Sequence, residues 1–172
     1  MEYTNSKTVR ELLSILKIDI SFNRIKETIE SHPYSLKLVS LMDAFDEWGI
    51  DNIALELPKS DFERIKELPF PFIAHISDSE EDSNLVVVKS LVNQQIEYYN
   101  PLLGNIVEQW ADFKNKWSGI LLLAFNKNNG TINQKEIQSE DLKTKIQKLI
   151  LNSALIFSIL GVCWIILSLL NI

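Results

Sequence analysis

NLVVVKSLVNQQIEYYNPLLG, residues 84–104, decides the fold. Its two apolar runs, Leu85 to Val92 and Ile96 to Asn100, are rich in β-branched and aromatic residues, which suit a pleated, half-buried backbone. Asn93, Gln94 and Gln95 stand between them, so the pattern predicts a hairpin. Pro101 to Gly104 then turns the chain again. Tyr98 and Tyr99 alternate, so only one of them can face any given layer, and the sequence leaves open which faces inward. A lone hairpin is marginal in water, so flanking segments must supply more strands and a covering layer.

They do. Ile53 to Leu57 (IALEL) alternates as a strand and Pro58 closes it. Phe70 to Ile76 (FPFIAHI) is short and apolar, a strand with Pro71 near its start, where proline is tolerated. Ile120 to Phe125 (ILLLAF) predicts a last buried strand. Ser60 to Leu68 makes one or two helical turns capped by Ser60 or Asp61, and Ser77 to Ser83 is an acidic turn. Glu108 to Lys116 predicts a helix with Trp110 and Phe113 on one face. Three small helices come first. Residues Met1 to Lys7 are polar and expected to fray, and from Thr8 onward Val9, Leu12, Leu13 and Leu16 fall at helical spacing. Ser21 caps a second helix carrying Phe22, Ile25 and Ile29, which stops near His32-Pro33. A third runs from about Ser35 to Trp48, with Leu38, Leu41, Phe45 and Trp48 as its stripe and Gly49 at its end. The class is α+β: a helical N-terminal part, then a mostly antiparallel sheet.

The last 24 residues, Leu149 to Ile172, carry no charge, and fifteen of them are Leu, Ile, Val or Phe. At ~1.5 Å per helical residue the run reaches roughly 36 Å, enough for a ~30 Å hydrocarbon core. It predicts one transmembrane helix over 149–172. Lys143, Lys145 and Lys148 precede it, which predicts a single-pass protein of the cell inner membrane with its domain in the cytoplasm. Membrane lipid is the partner expected of residues 149–172. The domain boundaries expected are 1–125 for the folded domain, 126–148 for a linker and basic juxtamembrane segment, and 149–172 for the span.

Because the span is uncharged, the net charge of −6 belongs to the residues before it. An acidic surface without a basic stripe argues against a nucleic-acid partner. The one cysteine, Cys163, lies in the predicted span, which excludes an internal disulfide, a Cys-rich zinc site and a CxxC redox centre. His32 and His75 are too isolated to suggest a metal, and five scattered glycines form no phosphate loop. No cofactor or metal is expected.

Four stretches in order resemble bacterial C39 peptidase domains, a papain-like family. LLSILKIDISFNRIKE (12–27) is similar to the family's first helix and the turn into its second, and LVSLMDAFDEWGIDNIALEL (38–57) to the helix and strand that follow. LPFPFIAHI (68–76) resembles the strand before the catalytic histidine. NLVVVKSLVNQQIEYYNPLLG with DFKNKWSGILLLAF (112–125) resembles the histidine hairpin, the Asp-Pro turn and the closing Trp-x-Gly strand. The resemblance covers about Thr8 to Phe125 and implies a cysteine peptidase that cuts leader peptides after a double glycine.

Such a peptidase needs a thiolate at a helix N-terminus, a histidine to take its proton and a group to orient that histidine. Carried over residue by residue, the cysteine falls near Thr4 to Ser6, where there is none. Asn84 stands at the histidine position and Asn100 at that of the aspartate. Cys163 is no substitute, since an apolar medium disfavours the thiolate. His75, on an apolar strand, reads as a structural histidine. The implied triad positions Thr4, Asn84 and Asn100 are degenerate, and the expected function is a peptide- or protein-binding accessory module without catalysis. HPYSLKLVSLMDAFDEWGI (32–50) and ELPFPFIAHI (67–76) are also similar to the C39-like domain at the N-terminus of some bacterial vitamin K epoxide reductase homologues. That implies an alternative: the front piece, or an accessory subunit, of a membrane redox protein. An active peptidase using Thr4 or Ser6 is the third reading.

Overall fold

Apolar spacing at the N-terminus becomes three helices: α1 (Thr4–Ile15), α2 (Phe22–Glu30) and α3 (Leu38–Glu47). The computed structural model describes residues 4–34, 37–77 and 83–126, all within a first unit, Met1–Lys127, of the two into which the chain divides. Ser21 caps α2 by accepting from the Arg24 amide at 3.4 Å, which satisfies one orphan donor of the first turn. Gly49 takes φ +70° just past α3, the left-handed residue that ends a helix at no side-chain cost.

Six strands follow: β1 (Asp51–Glu56), β2 (Phe72–Ser77), β3 (Ser83–Val92), β4 (Gln95–Asn100), β5 (Gly104–Gln109) and β6 (Trp117–Phe125). They form one antiparallel sheet in the order β1-β6-β2-β3-β4-β5. Two short helices, α4 (Phe62–Lys66) and α5 (Trp110–Lys116), punctuate the strands.

Strand alternation gives the sheet two covered faces. On one, Ile73, Leu85, Val87, Leu122 and Ala124 pack with Val9, Leu12, Leu13, Ile25, Ile29, Leu41 and Phe45 of the three helices. On the other, Tyr98 meets Phe113 at 5.2 Å between ring centroids, and Trp110 meets Phe113 and Trp117, each at 5.9 Å. Each fully buried large apolar side chain contributes roughly 1.5–3 kcal/mol, so these two layers carry the fold. Trp117 is 1% exposed, and its indole N–H donates to the Ile120 carbonyl at 2.9 Å, leaving the buried polar handle satisfied. Two residues on, Gly119 sits at φ +94°, and a Cβ there would lie 2.8 Å from the Leu57 carbonyl oxygen. Only glycine lets β6 approach Leu57, whose amide donates to the Gly119 carbonyl at 2.9 Å.

The structure differs from the sequence expectations at several places: the helix expected from Glu108 begins at Trp110, and the last strand, expected from Ile120, begins at Trp117. The first helix begins at Thr4, so residues 4–7 do not fray: Thr8 Oγ1 donates to the Thr4 carbonyl at 3.2 Å, and buried Ser6 donates to Glu30 Oε1 at 3.3 Å. Helix α3 begins at Leu38, later than expected. The hairpin turn is Asn93-Gln94 alone, both at positive φ (51° and 63°), and Gln95 already belongs to β4. Two central residues with positive φ match the right-handed twist of the flanking strands. Finally, β5 was not expected. It is an edge strand whose alternation is masked by the adjacent pair Ile106 and Val107, of which Val107 is exposed. The two tyrosines divide between the layers, Tyr98 in the aromatic one and Tyr99 against the helical one. The centre of the acidic turn, residues 78–82, lies outside the described residues, as do the expected linker beyond Asn126 and the span at 149–172. Among the described residues no helix is long and apolar enough to cross a membrane.

Candidate functional site

Two contacts fix α1 along β3. Glu11 pairs with Lys89 at 2.7 Å, and buried Thr8 donates to the Leu85 carbonyl at 2.8 Å. Moving toward the start of α1 therefore moves toward the start of β3, and the next helical turn brings Thr4 to the side of residue 84. Asn84 lies opposite Ile76 of β2. Tyr99 pairs with Val87, so Asn100, one residue on, stands beside Val86, two residues from Asn84. The N-terminus of α1, the start of β3 and the end of β4 thus gather Thr4, Asn84 and Asn100 at one end of the sheet.

They do not share one side of it. Leu85 and Val87 face α1, whereas Asn84 shares its parity with Val86 and Val88, and Asn100 with Tyr98 on the aromatic side. Asn100 is buried, and its Oδ1 accepts from the amides of Leu102 (2.9 Å) and Leu103 (3.2 Å). That is an Asx turn, a local use of the side chain that caps the corner at Pro101. Its acceptor is committed to the turn, not to orienting an imidazole.

His75 lies on the helix-facing side, opposite Leu85, where the β2–β6 pairing slips between Ala74 and Ile76. A bulge of this kind re-aims a side chain. Burial disfavours the charged imidazole and pushes the His75 pKa below the usual histidine value. A lowered pKa makes a neutral ring at neutral pH, and the chain has no thiol before Cys163 for such a ring to serve.

Sequence reasoning passed over two polar groups. Thr8 ties α1 to β3, and the only sequence signal is a hydroxyl on the apolar stripe, four residues before Leu12. On the aromatic side Lys116 Nζ donates to Tyr98 Oη at 2.9 Å and lies 2.8 Å from Glu108 Oε1. Burial alone would lower the Lys116 pKa, but the hydrogen bonds to Glu108 and Tyr98 outweigh it and hold it above the ordinary value. Burial raises that of Tyr98, against the hydrogen bond from Lys116. The triad is structural: it fastens α5 to β4 and β5. Among the described residues no three His, Cys, Asp or Glu side chains are grouped to hold a metal ion. An open cleft of about 410 Å³ lies between α2 and α3, lined by Glu27, Ser31, His32, Ser40, Asp43 and Glu47 among others, and none of the three triad positions borders it.

The Peptidase C39 family model matches residues 8–129 of the chain. Over 144 residues the chain is 24% identical to the Lactococcin-G-processing and transport ATP-binding protein LagD of Lactococcus lactis subsp. lactis. The match takes in 84% of this chain and 20% of that protein, so the chain spans about a fifth of the length of the curated relative it matches. Three solved structures share its fold. The peptidase domain of Streptococcus ComA, a bi-functional ABC transporter involved in a quorum-sensing pathway, aligns with a TM-score of 0.64 at 14% identity, over 73% of this chain and 93% of that one. A double glycine motif protease from an AMS/PCAT transporter, in complex with the leader peptide, gives 0.60 at 16%, over 70% and 82%. The N-terminal peptidase C39 like domain of the toxin secretion ATP-binding protein from Vibrio parahaemolyticus gives 0.58 at 16%, over 74% and 99%.

Proposed function

The chain belongs to the Peptidase C39 family, and from that premise we propose that it binds an extended peptide without cleaving it, as a catalytically inactive C39 domain held to a membrane by residues 149–172. The observation that carries the proposal is the state of the triad positions. No cysteine precedes Cys163, Asn84 cannot accept a proton from a nucleophile, and Asn100 spends its acceptor on the Leu102 and Leu103 amides. Without a thiol or an oriented base, attack on a peptide bond at neutral pH has no activated nucleophile. What outlasts the triad is the fold, whose sheet edges can still pair with peptide backbone.

Residues 126–148 act in this reading as a linker, with Lys143, Lys145 and Lys148 at the cytoplasmic face of the inner membrane. The test is to present the full chain with double-glycine leader peptides in reductant, measuring binding by fluorescence anisotropy and cleavage by mass spectrometry. Binding with no cleavage is the expected result. Turnover that disappears in Thr4→Ala or Ser6→Ala would overturn the inactive reading, and failure to bind any leader peptide would remove the binding one. The second reading, an accessory part of a vitamin K epoxide reductase-type membrane protein, is favoured by the stretches 32–50 and 67–76. Co-purification of the full chain with a membrane protein bearing paired cysteines would support it over the first.

A further inference from the structure

In the turn between α2 and α3, where the Lys37 amide donates to the Tyr34 carbonyl at 2.8 Å, one imidazole bonds in two further directions. His32 Nε2 lies 2.9 Å from Asp43 Oδ2 on α3, and the Tyr34 amide donates to His32 Nδ1 at 3.1 Å. A backbone N–H has only a proton to give, so Nδ1 must be bare and the ring proton must sit on Nε2, facing Asp43. The ring is therefore neutral in this arrangement. The charged groups around it are Glu27 from α2 and Asp43 and Glu47 from α3, which line the same cleft, with Arg24 at 3.6 Å from Glu47. On the turn itself the Tyr34 ring lies 6.0 Å from the imidazole, and Lys37 Nζ lies 5.4 Å from the Tyr34 ring.

One added proton changes the two bonds in opposite directions. It goes to Nδ1, where the new N–H opposes the Tyr34 N–H, and a hydrogen bond becomes a donor–donor clash. The same proton makes the Nε2–Asp43 contact a charge-assisted pair, which is modest because the Asp43 side chain is 56% exposed. The ring stays on α3 while the turn lets go of the ring. We propose that His32 is a pH-sensitive latch on the α2–α3 turn: neutral, it holds the Tyr34 amide, and protonated, it releases that amide while the Lys37 amide keeps the Tyr34 carbonyl.

The full chain has four tyrosines and two histidines, so tyrosine labelled with nitrogen-15 and histidine labelled with carbon-13 give spectra assignable by single substitution. As pH falls, the His32 ring resonances report its protonation directly. The Tyr34 amide should shift in step with them, and its exchange, taken relative to the intrinsic base-catalysed rate at each pH, should become about fivefold faster, the factor one ordinary hydrogen bond is worth. His32→Gln should abolish the Tyr34 response, and Asp43→Asn should keep it, because Nδ1 and not Asp43 carries it. A Tyr34 amide that stays unchanged while the His32 ring titrates would overturn the proposal, in the parent or in Asp43→Asn. So would a response that persists in His32→Gln.

Discussion

The aromatic layer and the polar positions near Asn100 belong to one sheet and differ in what holds them. Around Trp117 every large side chain is buried against another: Trp110, Phe113 and Tyr98 stack at centroid distances of 5.2 to 5.9 Å, and α5 is fastened over them through Lys116. At Asn100 a polar side chain answers to its own backbone, accepting from the Leu102 and Leu103 amides. Removing a buried aromatic takes away dispersion contacts and leaves a cavity, whereas changing Asn100 disturbs one turn. The difference shows that burial in the two packed layers, and not the polar positions near Asn100, holds the family's architecture in this chain.

The largest expected effect breaks the aromatic layer. Trp117→Ala removes a fully buried ring and its hydrogen bond to Ile120, and should cost about 3–5 kcal/mol, measured by chemical denaturation. A loss under about 1 kcal/mol would mean that the layer does not carry the fold. A middle-sized effect probes the polar turn. Asn100→Ala strips the acceptor from two amides and should cost about 0.5–1.5 kcal/mol. Asn100→Asp keeps the acceptor and should leave stability unchanged. If Asp at 100 costs as much as Ala, the Asx turn is not what the side chain contributes.

The aromatic layer was the more legible of the two. Trp110, Phe113 and the Trp-x-Gly pattern announced themselves by size, and IALEL, FPFIAHI and ILLLAF by short apolar runs, because burying such residues leaves few arrangements open. Edge strand β5 was not legible, since its residue types contradict its burial: Val107 stands on the exposed side and Glu108 on the covered one. The start of α1 was missed for a related reason: Ser6 and Thr8 are polar, and their burial rests on Glu30 and Leu85, partners 24 and 77 residues away. At the candidate site the sequence could name Thr4, Asn84 and Asn100 only through the family resemblance. Which face each turns to depends on pairing register, which spacing along one strand does not reveal.

The smallest effect concerns His75, which sits at the β2 bulge on the helix-facing side. Burial lowers its pKa in the folded chain, whereas in the unfolded chain it titrates near the ordinary value of about 6.5. As pH falls through about 6.5, the unfolded state takes up the proton first, so unfolding gains free energy relative to folding. The stability that His75 contributes is present above that pH and lost progressively below it, until the folded value is reached and no further change follows. Denaturant midpoints measured from pH 7.5 downward should therefore fall for the parent, with a shallower fall for His75→Gln. His32 is unchanged in both proteins and cancels from the comparison. Identical slopes would mean that the folded chain accommodates a charged His75 as readily as water does.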